Sequence, residues 1–495
     1  MGLLALLTAS LAAMPAANAG LTGSPQQVAT DLEIPWEIVA MPDGRMLVTE
    51  RPGRVRVIEP NGTLRTAPAY ADAAAAKFLG MALHPNYAVN RFVYLYVSYG
   101  AGSNPNANRV IRLVDDGTDL VSPVTVFQGG IRSDGNHDGG RIKFGPDGKL
   151  YVTTGDVHDP NTPQSLDSLN GKILRLEAPG GPGDGAAPAD NPFNPPGATG
   201  ARPFIWSYGH RHPQGLAWDA CGRMWESEHG PTGEGYAGQT PPAQSNDEIN
   251  RIDRGANYGW PAIIGDQTAP GMRNPVAHSG NSPAWAPGGL AIGPDGRLYA
   301  PLLAGQRLMH FSISGDTLVD PLDQFGELGR QRAATVANGQ LYLTTSNGGS
   351  DRVMRVPFDG AQAPACPAGP AAPGTPAPPS ARALRRLKRL LVGWSRELRS
   401  VGLLGMRRRG AVKLRVSGLP RGVLGVRLRR RGRVMAAGRR RTSPAQSTTL
   451  TLKLTRRGRA TLRTRPKAIR LVLRGTLRWS TGARTAASRE LLVRR

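Results

Sequence analysis

Residues 146–152 read PDGKLYV, a tight turn that leads into a β-strand, and related phrases recur along the chain. Glycine at the turn permits a positive φ, and the alternating or apolar run that follows is typical of a half-buried strand. A second strand follows each copy after a gap. The copies lie at 42–48, 85–97, 146–152, 219–225, 294–299 and 337–343, with second strands at 55–58, 110–114, 173–176, 249–252, 308–313 and 353–356.

Six copies of such a unit, spaced by roughly 40–75 residues, predict an all-β fold with a six-bladed β-propeller over residues 25–360. We expect the long insertions at 179–203 and 233–245 to be loops on one face. Propellers place their ligands where inner strand ends meet at the mouth of the central channel.

Charge divides the chain of 495 residues, whose net charge is +26, into two regions. Residues 381–495 hold 35 Lys and Arg against two acids, a net charge of +33, while residues 1–380 carry −7. A Pro/Ala-rich linker at 361–381 separates the two regions.

The Arg-rich domain over 382–495 is predicted to be β-sandwich-like, since its segments alternate as strands do. Residues 382–399 favour a basic amphipathic helix. The predicted strands are 411–417, 423–429, 448–454, 460–464, 469–473 and 490–493.

The first 19 residues are typical of a signal peptide. Leu3–Met14 is a short apolar run, and the small residues Ala17 and Ala19 suit a cleavage site, although no Lys or Arg precedes the run. We therefore expect an exported protein. In an oxidising compartment Cys221 and Cys366 either pair or remain two free thiols.

Trp206–Pro231, WSYGHRHPQGLAWDACGRMWESEHGP, gathers charged and aromatic residues at predicted strand ends. Arg211, His212, Glu228 and His229 are each ordinary as solvated loop residues. Together they indicate the rim of a binding site.

A second candidate is His137, in the loop GNHDGGR at 135–141. A histidine in a glycine-rich loop at a strand edge can act as a general base, because its pKa lies near neutrality. A hydrogen-bonded turn residue is the alternative.

Several motifs, in this order along residues 25–358, resemble the soluble PQQ-dependent aldose/glucose dehydrogenases, and the resemblance stops before the C-terminal domain. The motifs are TERPGRVRVI (49–58), LGMALHPNY (79–87), GNHDGGRIKFGPDGKLYVTTGD (135–156), SLNGKILRL (168–176), WSYGHRHPQGLAWD (206–219), SEHGP (227–231) and DEINRIDRGANYGWP (247–261).

The resemblance implies a six-bladed propeller with pyrroloquinoline quinone and Ca²⁺ at the channel mouth. It implies oxidation of aldose sugars at C1 to lactones by hydride transfer to the quinone, with electrons passing to an exported acceptor. The cofactor would supply the redox chemistry, and the protein would position a base and a cation.

The resemblance also implies roles for individual residues. His137 would take the proton of the sugar C1 hydroxyl, and Arg211 would polarise the quinone. Cofactor binding would fall to Arg211, His212, His229, Arg330 and Arg332. The carbonyls of Gly230 and Pro231 would hold the cofactor's Ca²⁺, and Glu248 with Tyr258 would hold a second, structural calcium.

Three positions depart from the family pattern. Ala75 stands where Gln or Glu is common, Ala304 where many members have a cofactor-contacting Lys, and His212 where Asn is usual. Because His137 and the arginines are kept, we expect an active enzyme with looser cofactor binding or a different sugar preference.

Two alternatives stay open. One is a non-catalytic propeller that binds a saccharide or protein at the channel mouth, as hedgehog-interacting protein does with a related domain. The other is a metal-dependent lactonase, which would need several inward acidic ligands from separate blades.

The basic domain predicts binding to polyanions by counterion release. After export, the accessible polyanions are anionic cell-envelope polymers and lipid head groups. Trp394 and Trp479 are its only aromatic residues, so we expect no specific nucleic-acid recognition.

Overall fold

The computed structural model describes residues 20–100, 107–232, 245–359, 381–416, 422–430, 433–442, 448–464, 467–479 and 484–494. The chain divides into two units, one ending at Cys366 and the other starting at Pro367.

The first unit contains six antiparallel four-stranded sheets, which confirms the predicted six-bladed propeller. A strand from the N-terminal end, β1 (Gln26–Leu32), precedes the first blade. Blade 1 contains β2 (Pro35–Ala40), β3 (Met46–Glu50), β4 (Arg54–Ile58) and β5 (Tyr70–Ala71). Blade 2 contains β6 (Lys77–Leu83), helix α1 (Tyr87–Asn90), β7 (Phe92–Ser98), β8 (Asn108–Asp115) and β9 (Leu120–Phe127). Blade 3 contains β10 (Ile142–Phe144), β11 (Leu150–Thr154), β12 (Lys172–Leu176) and β13 (Ile205–Tyr208).

Blade 6 combines strands from both ends of the propeller, because β1 pairs with the last strand and closes the ring. Short 3₁₀ helices cover Arg202–Phe204 and Gly326–Leu328. Blade 4 contains β14 (Pro213–Trp218), β15 (Met224–Glu228), β16 (Glu248–Ile252) and β17 (Ala277–His278). Blade 5 contains β18 (Ala291–Ile292), β19 (Leu298–Leu302), β20 (Arg307–Ser314) and β21 (Thr317–Gln324). Blade 6 contains β22 (Gln331–Ala337), β23 (Gln340–Thr345) and β24 (Asp351–Pro357), together with β1.

In the copies of the turn that contain an aspartate, the carboxylate accepts hydrogen bonds that hold the turn in place. Asp147 Oδ1 accepts a hydrogen bond from the backbone amide of Lys149 at 3.1 Å, and its Oδ2 accepts one from the Tyr151 hydroxyl at 3.0 Å. Asp295 makes the same two contacts in blade 5, with Arg297 and Tyr299. The aspartate therefore fixes the turn and the start of the next strand together.

In an antiparallel sheet, successive connections between strands lie at alternate ends of the sheet. Within each blade, the second and third strands connect at the end where the chain also passes to the next blade. The connection from β12 to β13, which contains 179–203, lies at the opposite end. The prediction that 179–203 and 233–245 share one face is therefore wrong, and residues 233–244 themselves lie outside the described residues.

A buried ion pair joins three blades near the channel axis. The guanidinium of Arg141 pairs with Glu37, and its Nε donates to the Gln214 carbonyl at 2.7 Å. It also lies 3.9 Å from the centre of the Trp36 ring. These contacts link blades 1, 3 and 4 directly below the channel mouth.

Among its described residues, the C-terminal unit forms one six-stranded sheet with a long helix, so the predicted sandwich is wrong. Helix α2 (Ala381–Arg409), interrupted at Gly402, includes the predicted helix and runs ten residues past it. Leu391, Trp394 and Leu398 are buried with the sheet residues in one core, so the helix covers the face that a second sheet would cover. The strands are β25 (Ala411–Val416), β26 (Gly422–Arg430), β27 (Arg433–Thr442), β28 (Thr448–Leu454), β29 (Ala468–Trp479) and β30 (Arg484–Arg494).

Two details of this unit differ from prediction. Residues 460–463 belong to helix α3 (Arg456–Arg463), and Thr464 is its C-cap. The first turn of this helix is capped by the Thr455 hydroxyl, which accepts from the Gly458 amide at 3.0 Å. Strand β27 was not predicted, because its Arg-rich end hides the short apolar segment at Met435 and Ala436 that is buried in the core.

Three predictions fall on residues outside the described ranges: the signal peptide at 1–19, most of the linker at 361–381, and Cys366. Cys221 is disulfide-bonded. Among the described residues, no helix is both long and apolar enough to cross a membrane.

Candidate active site

A cavity of about 550 Å³ opens at the channel mouth. Every blade contributes to its wall from the start of its innermost strand or from the loop just before that strand. Its lining includes Trp36, Leu79, His137, His212, Ala286 and Arg332, one from each blade in order. A cavity of this size suits a small-molecule cofactor together with a substrate.

His137 is positioned by a tight loop before β10. Asp134 Oδ1 accepts the backbone amides of Asn136 and His137, both at 2.9 Å. Gly139 follows with φ +67°, and a Cβ there would lie 2.7 Å from the Thr154 Cα. The loop therefore needs glycine to hold His137 against the neighbouring strand.

The His137 ring is oriented by Asp156, a residue that sequence reasoning missed. Nδ1 of His137 lies 2.6 Å from Asp156 Oδ1, while Asp156 Oδ2 accepts the Trp260 indole N–H at 2.8 Å. With a carboxylate on Nδ1, the basic nitrogen of a neutral ring is Nε2. The sequence signal for Asp156 is its place at the end of the third-blade strand, in the motif TTGD (153–156). The sequence alone did not show that Asp156 contacts His137.

The loop that carries Asp156 is anchored by a buried lysine. Lys172 Nζ donates to the carbonyls of Thr162, Pro163 and Asn170 at 2.7–3.0 Å. Asn170 also donates to the Gly155 carbonyl at 2.9 Å. These contacts fix the backbone that holds the carboxylate in place.

Burial lowers the pKa of His137 below its usual range, and the positive charge of Arg211 acts in the same direction. Hydrogen bonding to Asp156 raises the pKa but does not outweigh burial. The ring is therefore neutral near pH 7 and can accept a proton.

Four imidazoles form a row across the mouth. The rings of His158 and His212 stack on His137, with centroids 3.6 Å and 4.7 Å away, and His229 meets His212 edge-on at 5.2 Å. Burial lowers the pKa of His212 well below its usual range and that of His229 to about 4. Both rings are uncharged near neutrality.

The lining of the cavity is strongly cationic. Among the described lining residues, five are basic and two, Asp138 and Asp247, are acidic. Asp138 pairs with Lys77 at 2.8 Å, and Asp247 accepts the backbone amides of Gly230, Trp285 and Ala286. The basic residues are Arg51, Lys77, Arg211, Arg330 and Arg332.

Arg330 and Arg332 lie together, as predicted. The Nε atoms of Arg330 and Arg332 donate to the carbonyl and the hydroxyl of Ser346, at 3.1 and 3.3 Å. Burial, together with the neighbouring Arg51 and Arg330, lowers the pKa of Arg332 to about 9. Such a crowded guanidinium group favours an anionic ligand with several carboxylates.

The predicted calcium ligands of the mouth belong to one loop. Gly230 and Pro231 both line the cavity, and a Cβ on Gly230 would lie 1.9 Å from the Ser245 carbonyl oxygen. The Pro231 carbonyl accepts the Ser245 amide at 2.8 Å, which leaves one of its two lone pairs. Backbone carbonyls at the edge of an anion-binding cavity fit Ca²⁺ shared with a carboxylate ligand.

Glu248 and Tyr258 lie away from the cavity wall, in and beside blade 4. Glu248 lies directly across from Glu228 in the strand pairing. The Tyr258 ring stacks on His210 at 4.8 Å, and His210 Nδ1 lies 3.2 Å from Glu228 Oε1. Both predicted residues therefore border the same buried His210–Glu228 pair.

The three departures from the family pattern occupy different places. Ala304 and His212 line the cavity. Ala75 lies beside strand β6, which begins with Lys77, and the lysine does line the cavity. Lys77, like Arg51, was missed as a site residue, because its contact with Asp138 spans 61 positions of sequence.

A sequence model of the Glucose / Sorbosone dehydrogenase family matches residues 32–355. The aldose sugar dehydrogenase of Escherichia coli K12 is 34% identical over 50% of this chain and 64% of its own length. Quinoprotein glucose dehydrogenase B of Acinetobacter calcoaceticus is 31% identical over 48% of this chain and 52% of its own. The chain thus spans less than two thirds of both relatives.

Among solved structures, the PQQ-bound form of aldose sugar dehydrogenase from Streptomyces coelicolor is 33% identical. It aligns with a TM-score of 0.58 over 69% of this chain and 100% of the solved chain.

Proposed function

The chain belongs to the Glucose / Sorbosone dehydrogenase family, and we propose that it oxidises aldose sugars at C1 to lactones, with pyrroloquinoline quinone and Ca²⁺ as cofactors. The observation that carries the proposal is the His137–Asp156 pair at a cavity with five basic side chains. A base next to an anion-binding wall is what this oxidation requires.

The geometry supports the roles that the family resemblance implies. His137 takes the proton of the C1 hydroxyl on Nε2, and Asp156 stabilises the imidazolium that forms. Arg330 and Arg332 hold the cofactor carboxylates, together with Arg51. When bound, the quinone supplies the two-electron acceptor for the C1 hydrogen, and Ca²⁺ supplies the Lewis acid.

Contacts of the backbone amide and the guanidinium fix the position of Arg211 at the cavity. Its amide donates to Glu228 at 2.5 Å, and its guanidinium donates to the His229 carbonyl at 3.2 Å. The guanidinium also lies 5.5 Å from the centre of the Trp260 ring. We assign Arg211, flanked by His212 and His229, to the quinone oxygens, and the carbonyls of Gly230 and Pro231 to the Ca²⁺.

Reconstitution tests the proposal. Purified full-length protein is incubated with the quinone and Ca²⁺, and reduction of an artificial electron acceptor is followed with a panel of aldoses. We expect turnover only when both cofactors and an aldose are present, and loss of turnover with a calcium chelator. Tight quinone binding without turnover on any aldose would instead favour a propeller that only binds a ligand.

The same proposal covers location and partners. The apolar N-terminal run supports export, so the physiological electron acceptor is an exported one. The basic domain exposes, among other residues, Lys413, Arg415, Arg407–Arg409 and Arg439–Arg441. We assign this surface to anionic cell-envelope polymers or lipid head groups.

A further inference from the structure

A second cluster of titratable residues lies inside blade 4. Glu226 and Glu228 project from β15 and Asn250 from the adjacent β16, while His210 precedes β14. All four are at most 1% exposed. Glu226 pairs with Asn250 across the strands, so their side chains share one face of the blade. None of the four lines the described wall of the channel-mouth cavity.

The hydrogen bonds of this cluster do not satisfy its acceptors. Asn250 Nδ2 lies 3.1 Å from Glu226 Oε2, 3.1 Å from Glu228 Oε1 and 3.3 Å from Glu248 Oε2. An amide nitrogen carries only two protons, so Asn250 can donate to at most two of these three carboxylates. Glu228 also accepts the Arg211 amide, and Glu248 accepts the Gly265 amide at 3.4 Å. Within the described ranges, the only ion pair to these carboxylates is the one from His210 to Glu228.

Two further acceptors are orphaned. Glu226 Oε1 and Asn250 Oδ1 are buried, and neither has a hydrogen-bond partner among the described residues. The side chains of Glu226 and Asn250 are both 0% exposed. The Asn250 amide presents its nitrogen to the carboxylates, so a half-turn of the amide brings its unpartnered oxygen to the same place.

The negative charge of the clustered carboxylates favours binding of a cation. Several buried carboxylates without a guanidinium or ammonium are unfavourable unless a proton or a metal ion neutralises them.

The spacing suits a metal ion. One ligand atom each from His210, Glu226 and Glu228 lie within 4.8 Å of one another. Two ligands on opposite sides of a divalent ion at about 2.3 Å are about 4.6 Å apart. With Asn250 Oδ1 the set becomes one imidazole nitrogen and three oxygens. This mixture suits Mn²⁺ better than Ca²⁺, which takes oxygen ligands.

We propose that His210, Glu226, Glu228 and Asn250 bind a divalent cation of the Mn²⁺ type inside blade 4. The ion joins the loop before β14 to strands β15 and β16 and stabilises the blade. Its ligand set differs from the Gly230–Pro231 site and from the Glu248–Tyr258 site. It does not depend on the proposed oxidation of sugars.

The test uses full-length protein stripped of metal with a chelator and then supplied with excess Ca²⁺, which fills carbonyl-rich sites. Mn²⁺ is added, and bound manganese and the melting temperature are measured. We expect about one Mn²⁺ per chain and a rise of about 3–8 °C at saturating metal. Glu226→Gln keeps the side-chain shape but should bind no Mn²⁺ at this site. The matched control Glu327→Gln makes the same change on the surface and should behave as wild type.

Electron paramagnetic resonance of the wild-type Mn²⁺ complex gives a readout that does not depend on a variant folding. We expect nitrogen modulation from one imidazole in wild type. A folded His210→Gln variant that still binds Mn²⁺ should lack this modulation. Wild type that binds no Mn²⁺ would overturn the proposal, and so would Glu226→Gln that binds it equally. In either case a shared proton, not a metal, neutralises Glu226.

Discussion

At the scale of single residues, the chemistry rests on how His137 is surrounded. A histidine in water is largely neutral at pH 7 but lacks a fixed orientation. Here Asp156 holds Nδ1, and the stacked rings of His158 and His212 confine the plane. Burial keeps the ring neutral although a carboxylate touches it. Orientation and neutrality are what a general base needs.

The pH dependence of turnover follows from these contacts. Because burial lowers the His137 pKa, kcat/KM should stay level from neutral pH down past 6.5 and fall only as pH drops through the lowered pKa. In Asp156→Asn the partner that raises the pKa is gone, so the inflection should move to lower pH and the plateau should drop by about 10². An inflection that moves upward in Asp156→Asn would contradict this account.

The arginines can be tested by cofactor affinity. Arg332→Gln removes a buried charge that we assign to a cofactor carboxylate, and a charge-assisted hydrogen bond contributes about 1.5–3 kcal/mol. Titration with pyrroloquinoline quinone should therefore show an affinity about 10–150-fold weaker. Arg355→Gln, an exposed change on β24, is the control and should bind as wild type. Equal affinity in both variants would remove Arg332 from the site.

The sequence predicted the site residues that lie in recognisable motifs. It missed those that come to the site only when the chain folds. His137, Arg211, Arg330 and Arg332 were predicted and line one cavity. Lys77 was not, because a lysine after an alanine run reads as a surface residue until the fold brings it to Asp138.

At the scale of elements, the repeated turn predicted the blades because each copy is locally self-sufficient. Four of its six copies contain an aspartate, and the other two have an asparagine. The C-terminal strands were harder to predict. Residues 460–464 alternate in polarity as a strand does, yet the Thr455 cap starts a helix there instead. Alternation over five residues does not distinguish the two structures when a capping residue stands just before it.

A prediction at this scale concerns the structural calcium we assign to Glu248 and Tyr258 beside blade 4. If Ca²⁺ binds there, it stabilises the folded state by mass action. Glu248→Ala should then lower the melting temperature in Ca²⁺ more than it lowers turnover. Thermal melts with and without the ion measure this. If Ca²⁺ raises the melting temperature of wild type and variant equally, the site lies elsewhere.

At the scale of the whole molecule, charge separates the two units. The region up to residue 380 is mildly acidic at −7, and the rest carries +33. Few acids are available to pair with those arginines, and among the described residues Arg407–Arg409 and Arg439–Arg441 are exposed. Such a surface attracts polyanions without selecting a sequence or a shape.

Binding to isolated cell envelopes tests this surface. Full-length protein should be retained at low salt and released steeply as salt rises, because binding releases counterions. A chain ending near residue 360 should be retained weakly at every salt concentration. Equal retention of both chains, or retention that ignores salt, would contradict the assigned role of the basic domain.

The most direct test of the central claim is a single turnover. Wild type and His137→Ala are loaded with the quinone and Ca²⁺, shown by titration to bind the cofactor equally, and mixed with an aldose without an external acceptor. We expect rapid reduction of the bound cofactor in wild type and reduction about 10²–10⁴-fold slower in His137→Ala. Reduction at the same rate in both proteins would contradict the assignment of His137 as the base.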